Sequence, residues 1–464
     1  MKCEGMTLKR ILASRSHEGE LQRDKWIPAF AGMTTERVRA FLGVWVFIIA
    51  TALYGNVYGY GRMTSFTLLK EKALQSTMID SDRELFSLLH QLEEEPLSSQ
   101  KEEKLIYIVE KFLDRPYVMV GAQGEGMEGN HLQEDPLYRT DGFNCTTFVE
   151  MGLALLNARD LPEFKKNWIE ISYGAGDLPE ENALHYCNRN HFISKDFNPI
   201  NQKNHRIQEA TFFVTPKEDI QRKETFIDSL AWIEAKMDDK IQLRNTIRVT
   251  SKKKGNAILK TLSKNNEETY CPQLKGEEIS LPYIPKEQFF LKDSIEKRTF
   301  QPKASLLNLI PTPAILEIVR DDNAWGTDSG KVKEIMGTGI LVSHLGFLYR
   351  KNFKEGEKIY NKILCTSDAE KPLCQVIPVE CEKQNCSALM FAHATDAYPK
   401  DYFYYKTSKG YVCQKEKPPK KIPYTTCNRV VAMPLMDYLK QEDSGHFIYL
   451  EDPSFLGINI QKIL

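Results

Sequence analysis

Cys145 lies in the run DGFNCTTFVE at positions 141–150, behind turn-forming Asp141, Gly142 and Asn144 and ahead of residues suited to a helix. A cysteine there stands at a helix N-terminus, where the macrodipole and the unpaired backbone N–H groups favour negative charge. That position predicts a lowered thiol pKa and a place for an oxyanion, which makes Cys145 a candidate nucleophile. A small buried thiol or half of a disulfide is the alternative. A thiol nucleophile needs a base, and two histidines sit in apolar runs with strand-like alternation. In TGILVSHLGFLYR (338–350), alternation places Ile340, Val342, His344, Gly346 and Leu348 on one face; in SALMFAHAT (387–395) it does the same for Leu389, Phe391 and His393. A histidine on a facing strand can take the thiol proton while a third polar group orients its ring. Each histidine would also suit a core hydrogen bond.

A second group occurs in RNHF at 189–192. Arg189 offers a bidentate clamp for a substrate carboxylate, with His191 beside it. The alternative is an internal pair that holds 186–192 against the core. His185, Cys187 and His191 suggest a metal site, but no fourth ligand lies nearby in sequence, so no metal is expected.

The chain has ten cysteines. Apart from Cys3 and Cys145, there are Cys187, Cys271 and a late cluster of Cys365, Cys374, Cys381, Cys386, Cys413 and Cys427. An even remainder without a paired Cys-x-x-Cys points to disulfides in an oxidising compartment rather than zinc.

Several elements must position these groups. Leucines between 63 and 113 are spaced for helices, and Ser99 with Glu102 forms a capping-box pattern ahead of Leu105, Ile106, Ile108, Val109 and Phe112. Glycine-rich 117–144 reads as a loop close to a site. Phe148, Val149, Leu153, Leu155 and Leu156 place the cysteine helix in the core. Pro216 is expected to open a helix through Met237. The stretches 195–300 and 351–386 read as insertions.

At 464 residues and 42% hydrophobic content the chain can bury a sizeable core. A net charge of -1 gives no electrostatic case for nucleic-acid binding. Arg37 and Arg39 precede an apolar stretch over 40–54, shorter than the ~20 residues of a membrane span and suited to a secretory h-region. Residues 33–59 are expected to be a signal peptide, with no membrane span left after its cleavage. KWIPAFAGMT at 25–34 resembles translated intergenic repeats of bacterial genomes, so 1–32 is read as a non-native leader.

The ordered set PYVMVG (116–121), DGFNCTTFVE (141–150), RNHF (189–192), SHLGFLYR (343–350) and MFAHAT (390–395) resembles the NlpC-type papain-fold cysteine hydrolases. Within them it is most similar to the N-acetylmuramoyl-L-alanine amidase-like family. The resemblance implies Cys145 as nucleophile, His344 as general base and His393 as the residue orienting it. It places Tyr117, Asn144 and Thr146 beside the substrate, with Arg189 and His191 as further contacts. Relatives usually carry aspartate before the cysteine; Asn144 removes a charge that could bind a substrate amine.

The expected fold is α+β and papain-like: N-terminal helices, a nucleophile helix on an antiparallel sheet, and two insertions in a single catalytic domain over 60–464. The expected function is a periplasmic or secreted cysteine hydrolase, without cofactor, that cleaves an amide of peptidoglycan or of muropeptides. The alternatives are a catalytically silent wall-binding or host-targeted protein on the same fold, and a papain-fold acyl hydrolase or transferase acting on lipid or protein amides.

Overall fold

The computed structural model describes residues 78–94, 100–118, 136–173, 188–229 and, apart from short gaps, 276–464, with a few isolated positions between them. The leader, the signal segment, Cys3, His185, Cys187, Cys271, Ser99 and most of the glycine-rich loop lie outside the described residues. Among the described residues no helix is long and apolar enough to cross a membrane.

Helices α1 (Lys101–Phe112), α2 (Cys145–Leu156) and α3 (Leu161–Tyr173) cover one face of the main sheet, joined by a helix over 78–93. The apolar stripe of α1 is buried as its spacing predicts: Leu105, Ile108, Val109 and Phe112 all reach the core. Helix α2 is buried from Thr147 through Leu156, so its apolar character all round is what the packing requires. A short π-turn, Ile193–Phe197, runs into α4 (Asn198–Lys203), and α5 (Leu435–Leu439) lies on the opposite face.

The strands of the two larger sheets are β1 (Ile207–Glu209), β2 (Gln221–Asp228), β3 (Gly276–Pro285), β4 (Ala314–Arg320), β5 (Val342–Lys354), β6 (Lys358–Cys365), β7 (Cys374–Glu380), β8 (Asn385–Ala394), β9 (Phe403–Thr407), β10 (Gly410–Gln414), β11 (Tyr424–Thr426), β12 (Val430–Pro434) and β13 (Phe455–Ile463). The main sheet has eight strands in the order β12-β8-β5-β4-β13-β3-β2, with β1 paired to β13. A second sheet of five follows the order β11-β9-β10-β7-β6. Pairing in both is antiparallel.

Alternation along the central strands divides the core between two faces. Ile315, Val319, Leu345, Phe347, Met390 and Ala392 face the helices, whereas Leu316, Ile318, Leu348, Phe391, Ile458 and Ile460 pack with Phe289, Leu435 and Tyr438 behind the sheet. An aromatic file links helices to strands: Phe112–Phe143, Phe143–Phe148 and Phe148–Phe347 have ring centroids 5.0, 5.9 and 5.5 Å apart. Gly152 lets α2 approach this closely, because a Cβ there would stand 2.4 Å from the Phe347 ring.

The helix expected over 216–237 is absent from its first half, where Lys217–Asp219 is a single 3-10 turn and Gln221–Asp228 is a strand. Thr225, Phe226 and Ile227 suit a pleated surface, and pairing with β3 along their length decides the outcome. The N-cap of α1 is Gln100, with no side-chain cap, and the helix begins at Lys101; the expected cap Ser99 lies outside the described residues. The cysteine-rich stretch, read from sequence only as an insertion, builds a sheet, and it carries disulfides Cys381–Cys386 and Cys413–Cys427. Strands β5 and β8 are neighbours, with Phe391 opposite Leu348.

Candidate active site

Cys145 is the first residue of α2. Asn144 caps the helix reciprocally with Thr147: the Thr147 backbone N–H donates to Asn144 Oδ1 at 2.9 Å, and the Asn144 N–H donates to Thr147 Oγ1 at 3.0 Å. This explains the residue types around the thiol. Asn144 is buried and occupied as a cap, so its local role is to fix where the helix starts.

The thiol is half-buried, and Cys145 is the free cysteine among the described residues. It sits within hydrogen-bond reach of the Thr146 side chain and backbone and of the Leu345 backbone, which all favour the thiolate. Burial outweighs them and, with the Asp396 carboxylate, pushes the thiol up to about 11. The thiol pKa is thus raised, not lowered as expected from the helix N-terminus, by removal of water and a nearby negative charge.

Leu345 adjoins His344 on β5, so the thiol rests against the strand that carries one histidine. His344 Nε2 and His393 Nδ1 are 2.7 Å apart, so one proton is shared between the two rings. Their planes are 87° apart, and the Tyr438 ring stacks on His344 while Phe391 stacks on His393. Gly346 makes room for the pair, since a Cβ there would meet the Ala392 carbonyl at 2.3 Å and His393 Cβ at 2.8 Å. Burial, helped by the charge of Arg320, pulls His344 down to about 4. His393 is lowered by burial and by His344. Both imidazoles are neutral near pH 7.

Tyr117 is stitched to the cysteine segment and to the chain before β12. It bridges Phe143, and its N–H donates to the Asn428 carbonyl at 2.8 Å. The Thr395 N–H donates to the Arg429 carbonyl at 3.0 Å, so 116–118, 143–145, 395–396 and 428–429 converge beside the thiol.

Arg189 is placed differently from the expected clamp. Its side chain is 1% exposed and donates to Glu150 of α2 at 2.5 Å, so it belongs to the core rather than to a surface that meets a carboxylate. The His191 ring lies against Trp232, with centroids 4.4 Å apart and planes tilted by 47°. Among the described residues no cluster could hold a metal ion. Sequence reading missed Asp396, Arg320 and Tyr438. Only Asp396, close after His393, carried a signal of proximity.

A sequence profile of the AmiA-like family, described as N-acetylmuramoyl-L-alanine amidase-like, matches residues 107–360, more than half of the chain. No curated protein matches. Among solved structures, the Legionella pneumophila protein LPG0564, assigned to the DUF1460 family, is 21% identical with a TM-score of 0.51, covering 84% of this chain and 96% of that one. It is similar in fold. A Bacteroides fragilis protein at 16% identity and TM-score 0.37, covering 77% of this chain and 99% of its own, is more remote. On the extent of the profile match, the chain belongs to the N-acetylmuramoyl-L-alanine amidase-like family.

Proposed function

We propose that the protein is an exported cysteine hydrolase of papain-like, NlpC-type architecture that cleaves an amide of peptidoglycan. The bond is the one between muramic acid and L-alanine or one within the stem peptide. The observation that carries this reading is the 2.7 Å His344–His393 pair on strands next to a free thiol at a helix N-terminus. Membership of an amidase-like family supplies the substrate class.

The base must have a bare nitrogen for the thiol. With His344 Nε2–H donating to His393 Nδ1, the Nδ1 of His344 is that nitrogen. A thiol held near 11 and an imidazole held near 4 rest as a neutral pair, so the proton passes from Cys145 to His344 as sulfur attacks the carbonyl. The tetrahedral oxyanion collapses to a thioester, and His344 returns the proton to the departing amine. Water, deprotonated by the same imidazole, then releases the acid and restores the thiol. Backbone N–H groups at the start of α2 supply oxyanion donors. Tyr117, Asn144 and Thr146 frame the substrate side, and a periplasmic or secreted location follows from the wall substrate.

The test is digestion of purified peptidoglycan with mass analysis of released fragments, repeated with Cys145→Ala and His344→Ala. Wild-type protein should release amine-terminated stem peptides or shortened stems, and both variants should lose the activity. Full activity in Cys145→Ala would remove the mechanism.

A further inference from the structure

The strand that carries His344 breaks register immediately before it. On β4 and β5, Ile318 pairs with His344, but the next residue, Val319, pairs with Val342, so Ser343 is an extra residue at a bulge. Plain alternation would put Val342 and His344 on one face. His344 keeps the face of Gly346 and Leu348, toward Tyr438 and His393, and the bulge moves Val342 into the helix-side core. Bulges commonly re-aim side chains next to reactive sites, and an unpaired residue needs something to hold it.

Arg320, the last residue of β4, holds it. Its Nε donates to Ser343 Oγ at 3.1 Å, and its backbone N–H donates to the Leu341 carbonyl at 2.8 Å, so both sides of the bulge are tied to one residue. The guanidinium is itself fixed, donating to Ser454 Oγ at 2.8 Å and to the Asp452 carboxylate, with the Trp325 ring 5.5 Å away. Asp452 is locked in turn by the Ser454 N–H and Oγ–H at 2.8 and 2.7 Å. The Arg320 side chain is only 2% exposed. Burying a guanidinium is costly, and apolar replacements of such pairs are often neutral or stabilising, so stability alone gives little reason for it here.

We propose that Arg320 is a positioning residue for the reaction: it locks the Ser343 bulge that fixes the backbone immediately before His344, and it sets the field in which that imidazole takes and returns a proton. The inference rests on His344 acting as the base. The groups facing His344 are His393 from β8, Tyr438 from α5, and Arg320 from β4 with Asp452 behind it; the Cys145 thiol meets the backbone of the next residue, Leu345. Of these the guanidinium is the fixed cation, and a cation beside an imidazole opposes its protonation.

Three variants separate the parts, with thermal melts to verify folding. Arg320→Gln removes the charge. Because the base works in its neutral form, raising its pKa should move the acidic limb of the kcat/KM profile upward by about one pH unit. Arg320→Lys keeps the charge but lacks the fork that spans Ser343, Ser454 and Asp452, so kcat should fall while the limb stays. Ser343→Ala leaves the Arg320 cluster intact and should lower kcat with KM little changed; it decides the point if Arg320→Gln does not fold. Nitrogen-15 NMR titration of His344 reads the field without substrate. Loss of activity confined to Cys145→Ala and His344→Ala, with Arg320→Gln and Ser343→Ala folded, fully active and unmoved in pH limb, would overturn the proposal. Activity retained in Cys145→Ala would count against the amidase reading instead, and the NMR titration would still decide whether Arg320 acts on His344.

Discussion

Glu150 of the nucleophile helix and Arg189 form an ion pair with side chains 0% and 1% exposed. The pair ties the run around Cys145 to the RNHF segment, and the Tyr173 ring flanks the guanidinium at 5.4 Å. Removing one partner leaves a buried charge without its counter-ion, so Glu150→Gln or Arg189→Met should each destabilise the fold by about 3–5 kcal/mol. The double variant Glu150→Gln, Arg189→Met should lose less than the sum. Urea melts of the four proteins form the cycle, and additive losses would show that the two do not act as a pair.

Gly152 and Phe347 set the distance between α2 and β5. Gly152→Ala places a methyl 2.4 Å from the Phe347 ring, which is enclosed by core on all sides, and should cost about 1–3 kcal/mol. Adding Phe347→Leu should recover part of that loss. A Tm equal to wild type in the single variant would show that the helix can move away freely.

The thiol should be unreactive at rest. Held up to about 11 against an ordinary value of 9.0, Cys145 carries on the order of 100-fold less thiolate than a free cysteine at pH 8. Alkylation by iodoacetamide should therefore be slow at pH 8 and accelerate through pH 10. Asp396 opposes the thiolate, so Asp396→Asn should lower the thiol pKa and speed alkylation at pH 8 several-fold. An unchanged pH–rate curve in that variant would place the carboxylate elsewhere.

Glu317 is fully buried in β4, and burial with the Glu209 charge pushes its carboxyl up to about 8. Its folded pKa lies above the ordinary 4.5, so the folded state holds a proton that the unfolded chain releases. The associated stability is complete below about pH 4.5 and is lost as pH rises through 8, to a limit of about 5 kcal/mol. Glu317→Gln mimics the protonated acid, and its Nε2 could donate to Asn198 Oδ1, which lacks a partner. Chemical denaturation between pH 5 and 9 should show a flatter profile for this variant. Parallel profiles would exclude Glu317 as the source.

The parts of the site that depend on local chemistry were legible in the sequence. Asp141, Gly142 and Asn144 specify a turn and a cap, so Cys145 at a helix start could be read directly. The alternation around His393 fixed its face and its neighbours Phe391 and Leu389. What escaped reading depends on residues that meet only in the folded chain. Alternation cannot show that Ser343 is unpaired, so Val342 was assigned to the His344 face. Arg189 looked available because its partner, Glu150, lies 39 residues earlier. The Gln221–Asp228 strand was obscured by Pro216 and by charged residues on its exposed side, and pairing with β3 decided it. The thiol shift was given the wrong sign because the helix N-terminus is visible in sequence, while burial and Asp396 are not.

Strand β13 is the interior neighbour of β4, pairing Asn459 with Glu317 and Ile458 with Ile318, although more than a hundred residues separate the two strands in the chain. Until residues 455–463 have emerged during synthesis, β4 lacks one of its two partners, and Arg320 lacks Asp452 and Ser454. A nascent chain can thus carry the nucleophile, both histidines and most of the helices while the sheet that organises them is still incomplete. The arrangement around His344 is therefore complete only once the last strand has paired with β4.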